Sequence, residues 1–415
     1  MVLRKRRGLL NRTAVLTLAV VMPAAATAQS FGSTARAVLG SDPEYRLPEY
    51  RIGDIGMSAS LDALLLYDGN VYATPEDRRD DAVLTLLPSV YFRMNKPGAG
   101  LQFGLLGQAR VRRYLELSDE NADAASVRAD AAWSISPGQT LTANALWSRA
   151  IEDRGDPEAR DRTDIGPRLF DIYAAEGSYR HDGRRFTFGA ELSTRRTDAV
   201  SPLDDERDFD TYAARLNAGV RVGAGAYAIA SGFVSGRKFQ VARDLDGTSR
   251  DTTTYGAEAG MRFDPGGLVE GELSMGAFRL NPAEPTDEER TAFSARGSLT
   301  YRPRRRTALT LDVFAGDVPS FRAASSARVE QRVEFGIQQE IRHNLLASAR
   351  AGYRRTEWLR TTFKEDTIVG SGEVEYLFSR HTSVAATVSY GTRSSDFNED
   401  DFARFRTGAE LRVRF

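Results

Sequence analysis

The chain has 415 residues, with 56 basic and 57 acidic side chains, three histidines and no cysteine. Without cysteine there is no disulfide, thiolate zinc site or cysteine nucleophile, and the balanced charge lacks the basic excess of a nucleic-acid binder. With 27% charged residues and a mean hydropathy of −0.40, composition alone describes a soluble protein, and past the N-terminal segment no uncharged apolar run reaches the roughly 20 residues of a spanning helix.

Residues 1–28 carry the three-part pattern of a cleavable signal peptide. Arg4, Lys5, Arg6, Arg7 and Arg12 form a basic start, 14–22 is apolar, and Ala26-Thr27-Ala28 offers a small-residue cleavage site before Gln29. Removing that segment leaves 51 basic against 57 acidic residues. Residues 29–54, with Pro43 and Pro48, predict an extended periplasmic lead-in. From 55 to 415 apolar and polar positions alternate with period two. Phe186, Phe188, Ala190 and Leu192 interleave with Thr187, Gly189, Glu191 and Ser193, and Tyr255, Ala257, Ala259, Met261 and Phe263 with Gly256, Glu258, Gly260 and Arg262. A helix would scatter these side chains around its circumference, whereas a strand sorts them onto two faces.

The connections alternate as well. Eight short turns (95–100, 136–139, 182–183, 223–225, 264–267, 303–305, 343–344 and 379–382) separate nine longer charged loops. The loops are 73–80, 118–123, 152–168, 197–208, 240–251, 281–289, 319–328, 359–366 and 395–401. This predicts an all-β fold, a transmembrane up-and-down antiparallel β-barrel of 18 strands, with 16 as the alternative, over residues 55–415. Closure is required, because hydrocarbon offers an open edge no hydrogen-bond partner. Of 15 prolines only Pro88 falls inside a predicted strand, consistent with proline's missing donor.

Two stretches carry a resemblance. Terminal Phe415, with Val413 and Leu411 at alternate positions before it, resembles the carboxy-terminal signal read by the barrel-assembly machinery. The first strand ends Tyr67-Asp68-Gly69-Asn70-Val71-Tyr72, which resembles the tyrosine–acidic–x–asparagine–aliphatic–aromatic opening of the beta-barrel porin type 2 family of proteobacteria. The resemblance implies a Gram-negative outer-membrane barrel found beside polysaccharide synthesis and export systems, so that polysaccharide or export components are its implied partners. Read from the residues alone, Asn70 and its neighbours are equally a strand end entering a loop.

Catalytic chemistry finds no anchor. His181, His343 and His381 all fall at or beside predicted periplasmic turns, away from the outer rim where an outer-membrane hydrolase needs its base. No enzyme, cofactor or metal site is expected. Gly223-Ala224-Gly225 is a turn rather than a phosphate loop, and Asp244-Leu245-Asp246-Gly247 lacks the spacing of a calcium loop. Acidic loops such as Asp204-Asp205-Glu206 and Glu399-Asp400-Asp401 fit cation bridges to lipopolysaccharide at the outer-membrane lipid surface, and equally plain solvation.

Selectivity would then reside in the lumen. The alternation turns Arg110, Arg112, Arg128, Arg215, Arg221, Arg262, Arg296, Arg350 and Arg406 inward, with Asp130, Glu191, Glu258, Asp312, Glu334 and Glu373. Interleaved signs predict either a salt-bridge ladder that stiffens the wall or charged rings that filter solutes. Arginine supplies 52 of the 56 basic residues, and its planar fork suits carboxylates. Barrels of 16–18 strands leave an aqueous channel, which predicts a passive porin-like channel narrowed by 152–168, the longest loop. The alternative is a closed-lumen barrel that scaffolds an envelope or polysaccharide-secretion assembly.

Overall fold

β-Branched and aromatic residues spaced by two favour a pleated ribbon with one apolar and one polar face, and the chain repeats that ribbon from end to end. A computed structural model describes residues 49–415 except 160–165, 242–246, 248, 323–324, 360 and 362. The signal segment, the lead-in as far as residue 48 and the acidic stretch 244–246 lie outside the described residues.

A short β1 (Tyr50–Ile52) precedes β2 (Ile55–Asp68), β3 (Asp81–Lys96), β4 (Leu101–Tyr114), β5 (Ala122–Ser136), β6 (Gln139–Ile151) and β7 (Leu169–Asp182). The wall continues through β8 (Phe186–Ala199), β9 (Phe209–Gly223), β10 (Ala226–Phe239), β11 (Thr252–Phe263), β12 (Val269–Pro282) and β13 (Arg290–Arg304). It ends with β14 (Thr307–Pro319), β15 (Ala327–Arg342), β16 (Leu345–Trp358), β17 (Lys364–Leu377), β18 (Thr382–Ser395) and β19 (Phe402–Arg414). Every neighbour in sequence is an antiparallel neighbour in space, and β19 returns to β2 from Arg414↔Ser60 to Arg406↔Asp68. The barrel therefore has the 18 expected strands, β2 to β19, with eight turns at one end and nine loops at the other. β1 folds back on the start of β2, Tyr50 opposite Met57, beside the place where Phe415 exchanges backbone hydrogen bonds with Ala59.

The apolar set points out. Leu192, Leu216 and Ile368 are 66%, 60% and 57% exposed, as a surface solvated by lipid chains must be. Pro88 sits mid-strand opposite Leu61. There the ladder to β4 is interrupted between Leu86↔Val111 and Ser89↔Gln108. The expectation that no other proline enters a strand needs correction: Pro282 and Pro319 close β12 and β14, and Pro303 is next to last in β13. All three lie where pairing stops, so the missing N–H costs little.

At the loop end the wall departs from a plain cylinder. β13 pairs with β14 only from Ala295↔Ala315 toward the turn, while β14 and β15 stay paired up to Pro319↔Ala327. The free end of this hairpin turns into the lumen. Asp317 of β14 accepts from Arg237 of β10 at 3.0 Å, four strands away, and the Phe321 ring lies 6.1 Å from those of Phe209 and Phe239. Ala327, Val329 and Leu359 pack on Phe278 and Leu280 of β12. The core of this molecule thus lies inside its barrel. Arg290 of β13 reaches Glu357 of β16 at 2.5 Å and bridges the gap left behind.

Candidate functional site

Loop 152–168 leaves β6 and runs inward. Asp153 accepts from Arg404 and Arg406 at 3.1 and 3.3 Å, and the same two guanidiniums hold Asp68 at 2.6 and 2.9 Å. Arg393 donates to the Gly155 carbonyl. Glu158 accepts from the Trp358 indole Nε1 at 3.0 Å and the Phe321 amide at 3.1 Å, and lies 3.7 Å from Arg328. Arg328 is on β15, nine strands from β6 in a ring of 18, at the tucked end of the hairpin, so 152–159 meets the inturned hairpin inside the lumen. Arg207 fastens the near end, donating to Glu152 at 3.1 Å and to the Glu158 carbonyl at 3.2 Å, and Arg154 pairs with Glu120 at 2.5 Å. Charges this deep are tolerable only when paired and hydrogen-bonded. Glu152 is fully enclosed, and burial pushes its carboxyl up to about 7 against the pull of Arg207 and Arg168.

The Tyr67–Tyr72 stretch is more than a strand end. Asp68 is the shared acceptor just described. Asn70, 0% exposed, donates its side-chain amide to the carbonyls of Thr74 and Ala403 and accepts from the Thr74 amide. It therefore continues the β2–β19 seam above the last paired residues. Val71 packs with Val83 and Tyr114, Tyr67 donates to Asp80 at 3.0 Å, and Tyr72 lies under the Arg154 guanidinium. Leu411, Val413 and Phe415 alternate on the outward face of β19 and just beyond it, Phe415 being 63% exposed.

All fifteen lumen positions read from the sequence have the inward parity, and the structure divides them. Arg215 pairs with Glu258 at 2.7 Å, which Ser274 and Ser294 also bond. Arg262 meets Asp182 at 2.5 Å, and Arg221 donates to the Tyr227 hydroxyl. Arg350 faces Glu334 at 3.6 Å, Arg406 holds Asp68, and Glu373 takes Arg412 at 2.8 Å. Arg110, Arg112, Arg128, Arg296, Asp130, Glu191 and Asp312 form no ion pair with described residues. Arg296, Phe314, Arg332, Arg354, Thr367 and Arg393 follow one another across β13 to β18 in a single register row. Arg332 and Arg354 stand directly opposite each other in it, an arrangement that is unfavourable without a counter-charge. Sequence reasoning missed Asp68, Asp153, Glu158, Arg195, Arg237 and Asp317 as members of the site. Asp68 carried a signal as the acidic position of the first-strand motif, and Asp153 and Glu158 as members of the longest loop; Arg237 and Asp317 carried none. His181, His343 and His381 lie at the turn end.

Beneath the tucked hairpin a cavity of about 250 Å³ opens between the β5–β13 wall and the end of β14. Arg128, Arg195 and Arg296 reach it, with Glu176 and Glu191 and the rings of Phe209, Phe233, Phe278 and Phe314.

The family described as Putative beta-barrel porin 2 matches residues 42–415. No curated protein matches the sequence. Among solved structures, Pseudomonas aeruginosa OccK2 (OpdF) in complex with glucuronate is 13% identical with a TM-score of 0.45, over 88% of this chain and 99% of that one. Pseudomonas aeruginosa OpdK with vanillate is 12% identical with a TM-score of 0.43, over 86% and 99%. The siderophore receptor PirA of Acinetobacter baumannii is 9% identical with a TM-score of 0.44, over 88% and 81%. From the Tyr67–Tyr72 opening to terminal Phe415, the chain belongs to the beta-barrel porin 2 family and is a porin-like outer-membrane barrel.

Proposed function

We propose that the protein is a passive outer-membrane channel whose lumen is narrowed by the inward loop 152–168. The observation that carries this reading is the meeting of 152–159 with the tucked hairpin inside the ring, pinned by Asp153 to Arg404 and Arg406 and by Glu158 to Trp358 and the Phe321 amide. A fixed crosspiece inside a wide ring divides an aqueous passage into smaller ones, and charged side chains at such a narrowing select solutes. We read the chain as exported by the segment 1–28, inserted by the barrel-assembly machinery and non-enzymatic. Polysaccharide as cargo rests on the family resemblance, whereas the crosspiece favours small solutes over a polymer.

A second reading follows from the same network. If the crosspiece and the tucked hairpin close the lumen completely, the barrel is a scaffold for an envelope assembly. Planar-bilayer recording on the purified, folded barrel separates the two. Stable unitary conductance that grows in Asp153→Asn supports the channel. A folded barrel with no conductance, before or after that substitution, rejects it in favour of the scaffold.

A further inference from the structure

We infer that the cavity under the tucked hairpin is a binding site for a small organic carboxylate with a flat apolar body, and that Arg195 receives the carboxylate. The inference rests on the channel reading for its place in transport, but the site itself stands on its own geometry.

The argument begins with charge. Five arginines line the cavity. Two are neutralised by the protein, Arg215 by Glu258 at 2.7 Å and Arg237 by Asp317 at 3.0 Å. Arg128, Arg195 and Arg296 form no ion pair with described residues, and the only side-chain partner of Arg195 is the Thr197 hydroxyl at 3.4 Å. The remaining cavity carboxylates are Glu176 and Glu191. Glu191 precedes Arg195 by four residues on the same strand, about 13 Å along it. Glu176, on the neighbouring strand, stands opposite Ser193, two residues from Arg195, and forms no ion pair with that arginine, so the Arg195 end is a positive pole without a paired counter-ion among the described residues. A desolvated cation in that condition is costly unless something supplies the anion, and a guanidinium fork offers a carboxylate two parallel donors.

Shape supplies the rest. The inner face of a porin-like barrel is ordinarily polar, yet here Phe209, Phe233 and Phe278 turn inward beside those arginines. Phe233 lies under the Arg215 guanidinium, 4.9 Å from ring to carbon, packs on the Phe278 cluster and lines the cavity as well. Apolar walls with a few placed polar groups are the usual make-up of a small-molecule site. At about 250 Å³ the space is large enough for a single-ring acid.

Benzoate, benzamide and acetate form the test set. Added to the folded full-length barrel in a bilayer, benzoate is expected to reduce the chloride current saturably, at about tenfold lower concentration than acetate. Uncharged benzamide is expected to have no effect. Arg195→Gln should raise the benzoate requirement about tenfold and Arg195→Lys restore part of it, while Phe233→Ala should bring benzoate toward acetate. Equal action of benzoate and benzamide, or of benzoate and acetate, overturns the site. Calorimetric titration of the detergent-solubilised barrel with benzoate keeps the two readings apart. Conductance without benzoate binding rejects the site and leaves the channel, and benzoate binding without conductance rejects the channel and leaves the site.

Discussion

The two sides of this barrel use one residue type in opposite ways. Around the seam formed by β18, β19 and β2, arginines are consumed internally. Arg404 and Arg406 bridge Asp68 to Asp153, Arg412 is surrounded by Glu373, Glu375 and Glu410, and Arg414 bonds Asp62. Across the lumen, on β5, β8 and β13, Arg128, Arg195 and Arg296 have no carboxylate of their own among the described residues. Buried guanidinium is thus structural adhesive throughout the seam, whereas three of the five arginines around the cavity keep unspent binding capacity beside the paired Arg215 and Arg237. What separates the two is whether an acid stands within about 4 Å, not how deep the arginine lies.

The most severe way to break the contrast is Asp68→Ala. It strands two buried guanidiniums at the seam, and the expected loss is about 3–5 kcal/mol, seen as a lower urea midpoint for the folded form on heat-modifiable gels. An unchanged midpoint would mean that Asp153 alone suffices. On the other wall the sign reverses. Arg195→Met removes an unpaired charge and is expected to add about 1 kcal/mol of stability, seen as a higher urea midpoint, so a loss as large as that of Asp68→Ala would erase the distinction between the two sides.

A milder, reversible probe is pH. The Glu152 carboxyl is held up to about 7 in the docked loop, above its ordinary value of 4.5, so the docked state binds the proton more tightly than a released one. This contribution to docking is complete below the ordinary value and is lost as pH rises through about 7. Conductance should therefore rise between about pH 5 and about pH 8, and Glu152→Gln should flatten the profile. A rise that survives this substitution assigns the effect elsewhere. The smallest effect belongs to Tyr67→Phe, which removes an exposed hydrogen bond to Asp80. Its urea midpoint and conductance should match the parent, and any clear shift would extend the seam network farther toward the loop tip.

Much of this was legible because a barrel strand writes its two solvents into alternate letters. Strand number, the alternation of turns and loops, and the inward parity of residues such as Arg215 and Glu258 follow from period two alone. The length of loop 152–168 marked it as the candidate for the proposed constriction, and its described part 152–159 does enter the lumen. The tucked end of β14 was not legible. Val318, Arg328, Val329 and Glu330 keep the barrel's alternation, and only the missing β13 partner for 316–319 shows that both faces are buried. Asn70 was ambiguous for a related reason: its role depends on Ala403, 333 residues away, and no local pattern records such a distance.

The shared bridge at the seam has a consequence in time. Asp68 belongs to the first barrel strand, and Arg404 and Arg406 to the last, 336 and 338 residues later. Contacts of such separation form only after the intervening chain is ordered. Asp153, a little over a third of the way along the chain, has both of its arginines on the last strand. The anchor proposed to hold 152–159 thus draws on residues from the first and the last strand, and a ring with those strands apart would split it.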